Sequence, residues 1–535
     1  MNNSNQLWFN ISLWLLFLLI ILFVRPLTPI DETRYLSVAW EMYLNGDYLI
    51  PHKNGELYTD KPPLYFWLVN IVWAIFGVNE FIARLVAPFF ALLSLVFTYL
   101  IAKQLFPNKT QIACNSTWVL TASVFWAFSS TIAKMDMLVV FFTLLGVWSL
   151  LAIWLYEKQK MWFVFSLALA LGGLAKGPVI LLHLLPLAIF IPFIFKIKKN
   201  NRWYLPLLLS TILGVGLAFL WAVPAAIYGG EQYANAIFLK QSLERISSID
   251  KPFVNIHSMP FWWYLPMLLL SLFPFSFKFN FYKFSIKNII NYKKPEVVFL
   301  FVWFLLPFIL FSFIKGKQMF YLLPEFPALA ILTSILVNNN KVYYSKNYLM
   351  AFVIFTITIL FIISPYLGAY YDLPIWIDNL NIFGIMLLLI IFASYFVKFK
   401  NNIYLFTVTS FGLLIAIHLI FISVLNKDYD VGPMAQLIYE KQSQGHKIAH
   451  TVNYHSQFQF SGRLEEPLII VKRKDQALKW AKDNKNGFLV VYRNPKIKLD
   501  KDYKINNNSY PYAGEEVVLW SAKAIIAHPD LLDWE

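Results

Sequence analysis

Residues 31–64, DETRYLSVAWEMYLNGDYLIPHKNGELYTDKPPL, pack charges, aromatic rings and turn formers between two strongly apolar regions. After Pro29 and Ile30 the spacing is helical: Tyr35, Val38 and Met42 fall on one face, with Leu36, Ala39 and Tyr43 beside them. Asn45-Gly46 ends that helix. It is too polar to cross a bilayer and is expected to lie at the membrane surface, with Asp31 and Arg34 one turn apart near its start. A second polar cluster, Tyr58-Thr59-Asp60-Lys61, runs into Pro62 and Pro63, which suit the first turn of another helix.

The chain around this stretch reads as membrane-embedded. Of its 535 residues, 59% are hydrophobic and 18% aromatic, and the mean hydropathy is +0.57. A soluble core cannot bury that much apolar surface, so a polytopic helical membrane protein is the expected class. Apolar runs place spans near residues 7–24, 81–105, 112–132, 137–156, 161–174, 178–195, 203–227, 261–277, 296–314, 319–337, 347–364, 380–397 and 403–425, thirteen in all. The first lacks a basic flank and a small-residue cleavage pattern and is read as a retained span. Leu64 to Phe76 is short, stops at Gly77, and is read as interfacial.

The formal charge of +15 does not point to nucleic acid, because the basic residues sit in short hydrophilic breaks and not along one polar domain. Every second break is basic, from Lys103/Lys109 and Lys158/Lys160 through Lys196 to Arg202, Lys278 to Lys294 and Lys341/Lys346 to Lys398/Lys400. Cationic loops stay in the cytoplasm. The N-terminus is therefore expected inside and the C-terminus outside, with the 31–64 stretch, Asp136, Lys176, residues 229–260 and residues 315–321 on the external face. The single Cys114 excludes an intramolecular disulfide, and no Cys/His zinc cluster or glycine-rich nucleotide loop is present in the sequence. Beyond Leu425 the composition turns polar, with β-rich pieces at 447–452, 468–471, 488–492 and 517–520 and a helical piece at 475–483. The expected division is a membrane unit, 1–425, whose external loop is 31–64, and an extracytoplasmic α/β domain, 426–535.

Asp31-Glu32-x-Arg34-Tyr35 and Tyr58-x-Asp60-Lys61-Pro62-Pro63-Leu64, placed after one N-terminal span, resemble the polyprenyl-phosphate-dependent glycosyltransferases of the GT-C fold. Among these they resemble the transferases that move 4-amino-4-deoxy-L-arabinose from undecaprenyl phosphate to lipid A. The resemblance covers the spans in arrangement and the external loops in motif. It implies a mainly α, polytopic fold of about thirteen membrane helices with external juxtamembrane helices and a small C-terminal α/β domain, in the bacterial inner membrane. It also implies a polyprenyl-phosphate-linked sugar donor held among membrane lipid, lipid A or another surface glycan as acceptor, and no nucleic acid.

The same resemblance assigns roles. Asp31 corresponds to an acid in the catalytic cavity and Asp136 to an acid at the next external turn, whereas Glu32 has no counterpart role. Alone, Asp31 and Glu32 are also ordinary helix-N-terminal acids. Arg34 and Tyr58 belong to the substrate-binding motifs, and Lys61 and Arg245 match the cations that hold the lipid phosphate. Basic residues at membrane edges also reach for headgroups. Lys317 and Tyr321 lie in register with a Lys-x-x-x-Tyr-x-Leu-Pro element and, one helical turn apart, are expected to reach one pocket. An interfacial Lys/Tyr belt is the plainer account. Asp60 stands where some relatives carry a divalent-metal ligand, but Lys240 stands where they have histidine, and His257 is the remaining substitute, so no cofactor is certain and a divalent metal at Asp60 stays open as an alternative. The rival classes are a related transferase acting on protein or another glycan, a lipid-linked-sugar transporter, which more often has broken helices and repeats, and a membrane scaffold, which needs no external cluster of acids and cations.

Overall fold

The structure is a computed structural model that describes residues 3–196, 201–240, 259–277, 294–338, 348–370, 381–397, 402–451, 453–494 and 509–532. Helix α1 (Asn3–Val24) leads through a short turn into α2 (Asp31–Asn45), the helix of the DETRY stretch. Gly46, in the left-handed region at φ 64°, closes α2 as the Asn-Gly pair requires. A small hairpin, β1 (His52–Lys53) with β2 (Glu56–Leu57), precedes α3 (Leu64–Phe76), which starts directly after Pro63. The chain then runs through α4 (Glu80–Arg84), α5 (Val86–Leu105), α6 (Thr110–Ala122), α7 (Val124–Ser129), α8 (Asp136–Tyr156), α9 (Met161–Lys176), α10 (Val179–Ile194) and α11 (Asn201–Asn235).

Among the described residues, seven helices are long and apolar enough to cross a membrane, and six apolar helices are shorter. A multi-pass membrane protein follows, but thirteen spans are not established. Several expected spans are interrupted, among them 81–105, 261–277 and 403–425, and two further cases show how. The run at 112–132 is split into α6 and α7 at Ser123, whose backbone is extended, and Val124 N donates to Phe273 O at 3.0 Å. The run at 319–337 begins as a 3-10 segment, Met319–Glu325, before the helix Phe326–Asn338. Apolar runs report length, whereas the break at Ser123 is accompanied by a tertiary hydrogen bond. In lipid, helices associate through close packing and polar contacts. Gly214 of α11 shows the demand: a Cβ there would stand 2.7 Å from the Ser166 carbonyl of α9.

Beyond the last apolar helices, β3 (Ile448–Thr451), β4 (Ile469–Val471), β5 (Phe488–Arg493), β6 (Ser509–Tyr512) and β7 (Glu515–Ser521) form one sheet in the order β4-β3-β5-β7-β6. β3 pairs in parallel with β4 and β5, and β7 antiparallel with β5 and β6. Strand alternation splits the core across the two faces: Val490 and Leu519 join one cluster with Met434 and Phe458, while Leu489, Val491 and Val518 join the other with Ala477 and Ile525.

The α/β unit packs directly on α2. Instead of resting on the membrane with one face free, α2 buries ten of its fifteen residues between α3 and this sheet unit. Ser37 Oγ donates to Ser456 O at 2.6 Å, Trp40 Nε1 to Leu464 O at 2.9 Å, and Trp73 of α3 stacks on Phe460 with centroids 5.1 Å apart. The hairpin is tied down as well. Asn54 Nδ2 donates to Leu468 O at 2.9 Å, and Asn54 Oδ1 accepts from Leu468 N at 2.8 Å and Gln459 Nε2 at 2.7 Å. Asn54→Ala removes all three bonds and is expected to weaken the docking by about 2 kcal/mol. The measurement is limited proteolysis, with release of the C-terminal unit roughly tenfold faster if opening limits cleavage.

Candidate active site

The DETRY helix, the turn before α8 and the 3-10 segment converge on one cluster. Asp31, at the first residue of α2, pairs with Arg34 Nη2 at 2.5 Å, as the i,i+3 spacing requires, and with Lys134 Nζ at 2.5 Å. Asp136, at the first residue of α8, pairs with Lys176, the last residue of α9. Each lysine also lies against an aromatic ring. Lys134 Nζ is 4.8 Å from the centroid of Phe320, and Lys176 Nζ is 5.1 Å from that of Tyr321. Two carboxylates, two ammonium groups and two neighbouring rings thus form a repeated motif.

Burial pushes the Asp31 carboxyl up, but Lys134, Arg34 and Lys61 outweigh it and hold the group below the usual aspartate range. Lys61 is therefore within electrostatic reach of Asp31, and its Nζ donates to Asp60 O at 3.1 Å. Tyr58 is buried, and its charge neighbours are Tyr35, Arg34, Asp60 and Asp31. The Tyr58 hydroxyl and Arg34 Nε are buried without a hydrogen-bond partner among the described residues.

Glu32, to which the sequence reading gives no role, is the pillar under this cluster. Its carboxylate forms a bidentate pair with Arg25, one bond being 3.0 Å, and accepts from Thr28 N at 3.0 Å and Ala133 N at 2.7 Å. Arg25 Nη2 also donates to Thr131 O at 3.1 Å. One buried ion pair therefore ties the end of α1, the start of α2 and the backbone beside Lys134.

Lys317 and Tyr321 are not brought to one pocket. Gln318 is extended, so no helical turn joins them. Lys317 is buried, with Nζ donating to Met259 O at 3.0 Å and Ile314 O at 2.6 Å, while Tyr321 faces Lys176. Asp60 is exposed, and no group of three or more His, Cys, Asp or Glu residues suited to a metal occurs among the described residues. Arg245, His257 and the Lys240 side chain lie outside the described residues. The partners missed in the sequence are Lys134 and Lys176. The signal available for them was position, two residues before Asp136 and at the end of an external helix.

A family model described as dolichyl-phosphate-mannose-protein mannosyltransferase matches residues 60–228. Undecaprenyl phosphate-alpha-4-amino-4-deoxy-L-arabinose arabinosyl transferase 2 of Proteus mirabilis is 30% identical over 342 residues, 62% of this chain and 60% of that protein. The arabinosyl transferase of Pseudomonas paraeruginosa is 30% identical over 314 residues, 56% of this chain and 54% of that protein. ArnT from Cupriavidus metallidurans, crystallised with undecaprenyl phosphate, superposes with a TM-score of 0.73 at 16% identity, covering 96% of this chain and 97% of that one. The chain shares the GT-C fold of ArnT and is similar in sequence to these arabinosyl transferases. Its sequence match spans 54–60% of the length of these curated arabinosyl transferases. The region that the family model matches runs from Asp60 through Lys134, Asp136 and Lys176, and the DETRY helix lies just before it.

Proposed function

We propose that this protein transfers a sugar, most directly 4-amino-4-deoxy-L-arabinose, from undecaprenyl phosphate to lipid A at the outer face of the bacterial inner membrane. The reading places the N-terminus in the cytoplasm, residues 1–425 as the membrane unit and residues 426–535 outside. The observation that carries it is the paired acid–lysine cluster at the start of α2 and α8, because a reaction that expels a phosphate needs fixed cations around a sugar-holding pocket. The named arabinosyl transferases and the undecaprenyl-phosphate-bound neighbour support the choice of donor.

In this mechanism the C1–O bond to the lipid phosphate breaks as an acceptor oxygen attacks C1 from the opposite side, with inversion. The electron pair of the broken bond goes to the phosphate, held by Lys61 and Arg245. Asp31 is a weak base, since Lys134 and Arg34 hold it ionised. A phosphate acceptor, already an anion, requires no base, so Asp31 and Asp136 orient the sugar and face its ammonium group. The mannosyltransferase description of the matched family favours a second reading, a hydroxyl acceptor on protein, for which Asp31 would have to take a proton.

Mass spectrometry of lipid A from donor-making cells, with and without the protein, tests the proposal. A mass addition of one aminopentose that depends on the protein is expected; unchanged lipid A with newly glycosylated protein would establish the second reading instead. In vitro, Lys61→Ala is expected to lower kcat/KM for the lipid donor about a hundredfold. An unaltered value would remove Lys61 from the phosphate site.

A further inference from the structure

The C-terminal unit reaches the same side of α2 that carries Arg34. Ser37 stands one turn after Arg34, and its hydroxyl both donates to Ser456 O at 2.6 Å and accepts from Phe460 N at 3.2 Å. This clamp seats residues 455–460 against the helix, with His455 next to the clamped carbonyl. The backbone of Ser456 is left-handed at φ 60°, an uncommon conformation for a non-glycine residue, and it fixes the direction in which the loop leaves His455. His455 is half-buried and feels the charges of Lys53, Arg34 and Asp31 together.

Lys53 arrives by an independent tether. It precedes Asn54, whose side chain is bonded to Leu468 and Gln459 of the C-terminal unit. Glu41, whose carboxylate also acts on Lys53, is occupied by the amides of Asn54 and Gly55, the latter at 2.9 Å. The charges on this edge are mostly cationic: Lys134, Arg34 and Lys61 act on Asp31, and Lys53 and Arg34 act on His455. The imidazole of His455 adds a polar edge that can donate a hydrogen bond.

We infer that Lys53 and His455, held beside Arg34 by the docked C-terminal domain, form an anion-binding edge that takes a phosphate group of the acceptor. The choice of acceptor over donor rests on the proposed transfer reaction. It also follows from where the edge comes from, a polar hairpin and a polar domain and not the apolar helices beside which a polyprenyl chain would lie. The C-terminal domain is then part of the site, supplying one wall of it.

The test uses the full-length protein in lipid nanodiscs and measures binding of diphosphoryl lipid A, of the same lipid with its phosphates removed, and of undecaprenyl phosphate. For the Lys53→Gln/His455→Ala double variant, diphosphoryl lipid A is expected to bind about tenfold more weakly. The dephosphorylated lipid and undecaprenyl phosphate should bind as to the wild type. His455→Arg, a gain that misfolding cannot produce, should tighten diphosphoryl lipid A about threefold. Unchanged binding in both variants, or weakening confined to undecaprenyl phosphate, overturns the inference. Sugar transfer by the wild type is read separately: its failure with the binding changes intact would end the lipid A transferase reading and leave the anion-binding edge standing.

Discussion

Asp31→Asn is expected to lower transfer about a thousandfold while the protein folds and reaches the membrane at normal levels. Asparagine keeps the size and one acceptor oxygen but removes the charge that Arg34 and Lys134 share. Without it the two cations repel each other and lose the group that fixes them, and a charged sugar loses its counter-ion. Losses of this kind at a pre-organised electrostatic site run to about two to four powers of ten. The stability change should be small, under about 1 kcal/mol, because the Asp31 side chain is 39% exposed and solvent screens the pair. The measurement is single-turnover transfer from undecaprenyl-phosphate-linked sugar, alongside thermal unfolding in detergent. Because the folded carboxyl is held below its ordinary range, wild-type activity should stay flat as pH falls through the usual aspartate range and decline only below it. Activity of the variant within tenfold of wild type would remove Asp31 from the reaction.

The relation between sequence and fold here divides by range. Local features were legible. The Asn-Gly stop of α2, the Pro-Pro start of α3 and the Asp31–Arg34 spacing are each fixed by two to four neighbouring residues. Four strands and the helix Lys474–Asp483 of the C-terminal unit were likewise visible in alternation and composition, whereas β6, which contains Pro511, reads poorly as a strand, and the helices Gly432–Ser443 and Ala522–Ala527 were not expected. Long-range features were not legible. Nothing in the spacing of Asp31 announces Lys134, and the pairing of Asp136 with Lys176 depends on how α8 packs against α9. The expected neighbourhood of Lys317 and Tyr321 failed for a local reason: Gln318 adopts an extended backbone, and the lysine is drawn back to two carbonyls. Glu32 looked like a helix-start acid because the arginine that claims it sits seven residues earlier, outside the motif.

That arginine makes Glu32 the residue whose loss should cost most in stability. Arg25, Glu32 and Arg84 are all buried, and Glu80 pairs with Arg84 at 3.2 Å. Glu32→Gln would strand Arg25 without its carboxylate in a low-dielectric site. Breaking a buried pair in this way costs about 3–5 kcal/mol, enough to cut the yield of folded protein sharply. The double variant Arg25→Met/Glu32→Leu removes both charges and is expected to be milder than either single change, since neither ion then needs to be desolvated. Folded yield and thermal unfolding of the two singles and the double measure this, and additive losses would refute the coupling. The pH dependence has a defined sign. Burial raises the Glu32 carboxyl, but Arg25, Arg84 and the Ala133 amide lower it to about 2 from the ordinary 4.5. Its stabilisation is therefore complete above pH about 4.5, fades as pH falls toward about 2, and is constant across the neutral range. Even where the double variant folds, transfer should drop about ten- to a hundredfold, because the backbone that carries Lys134 is no longer held and a small displacement of a positioned charge is costly. A double variant that folds and transfers sugar at the wild-type rate would show that Lys134 needs no such anchor.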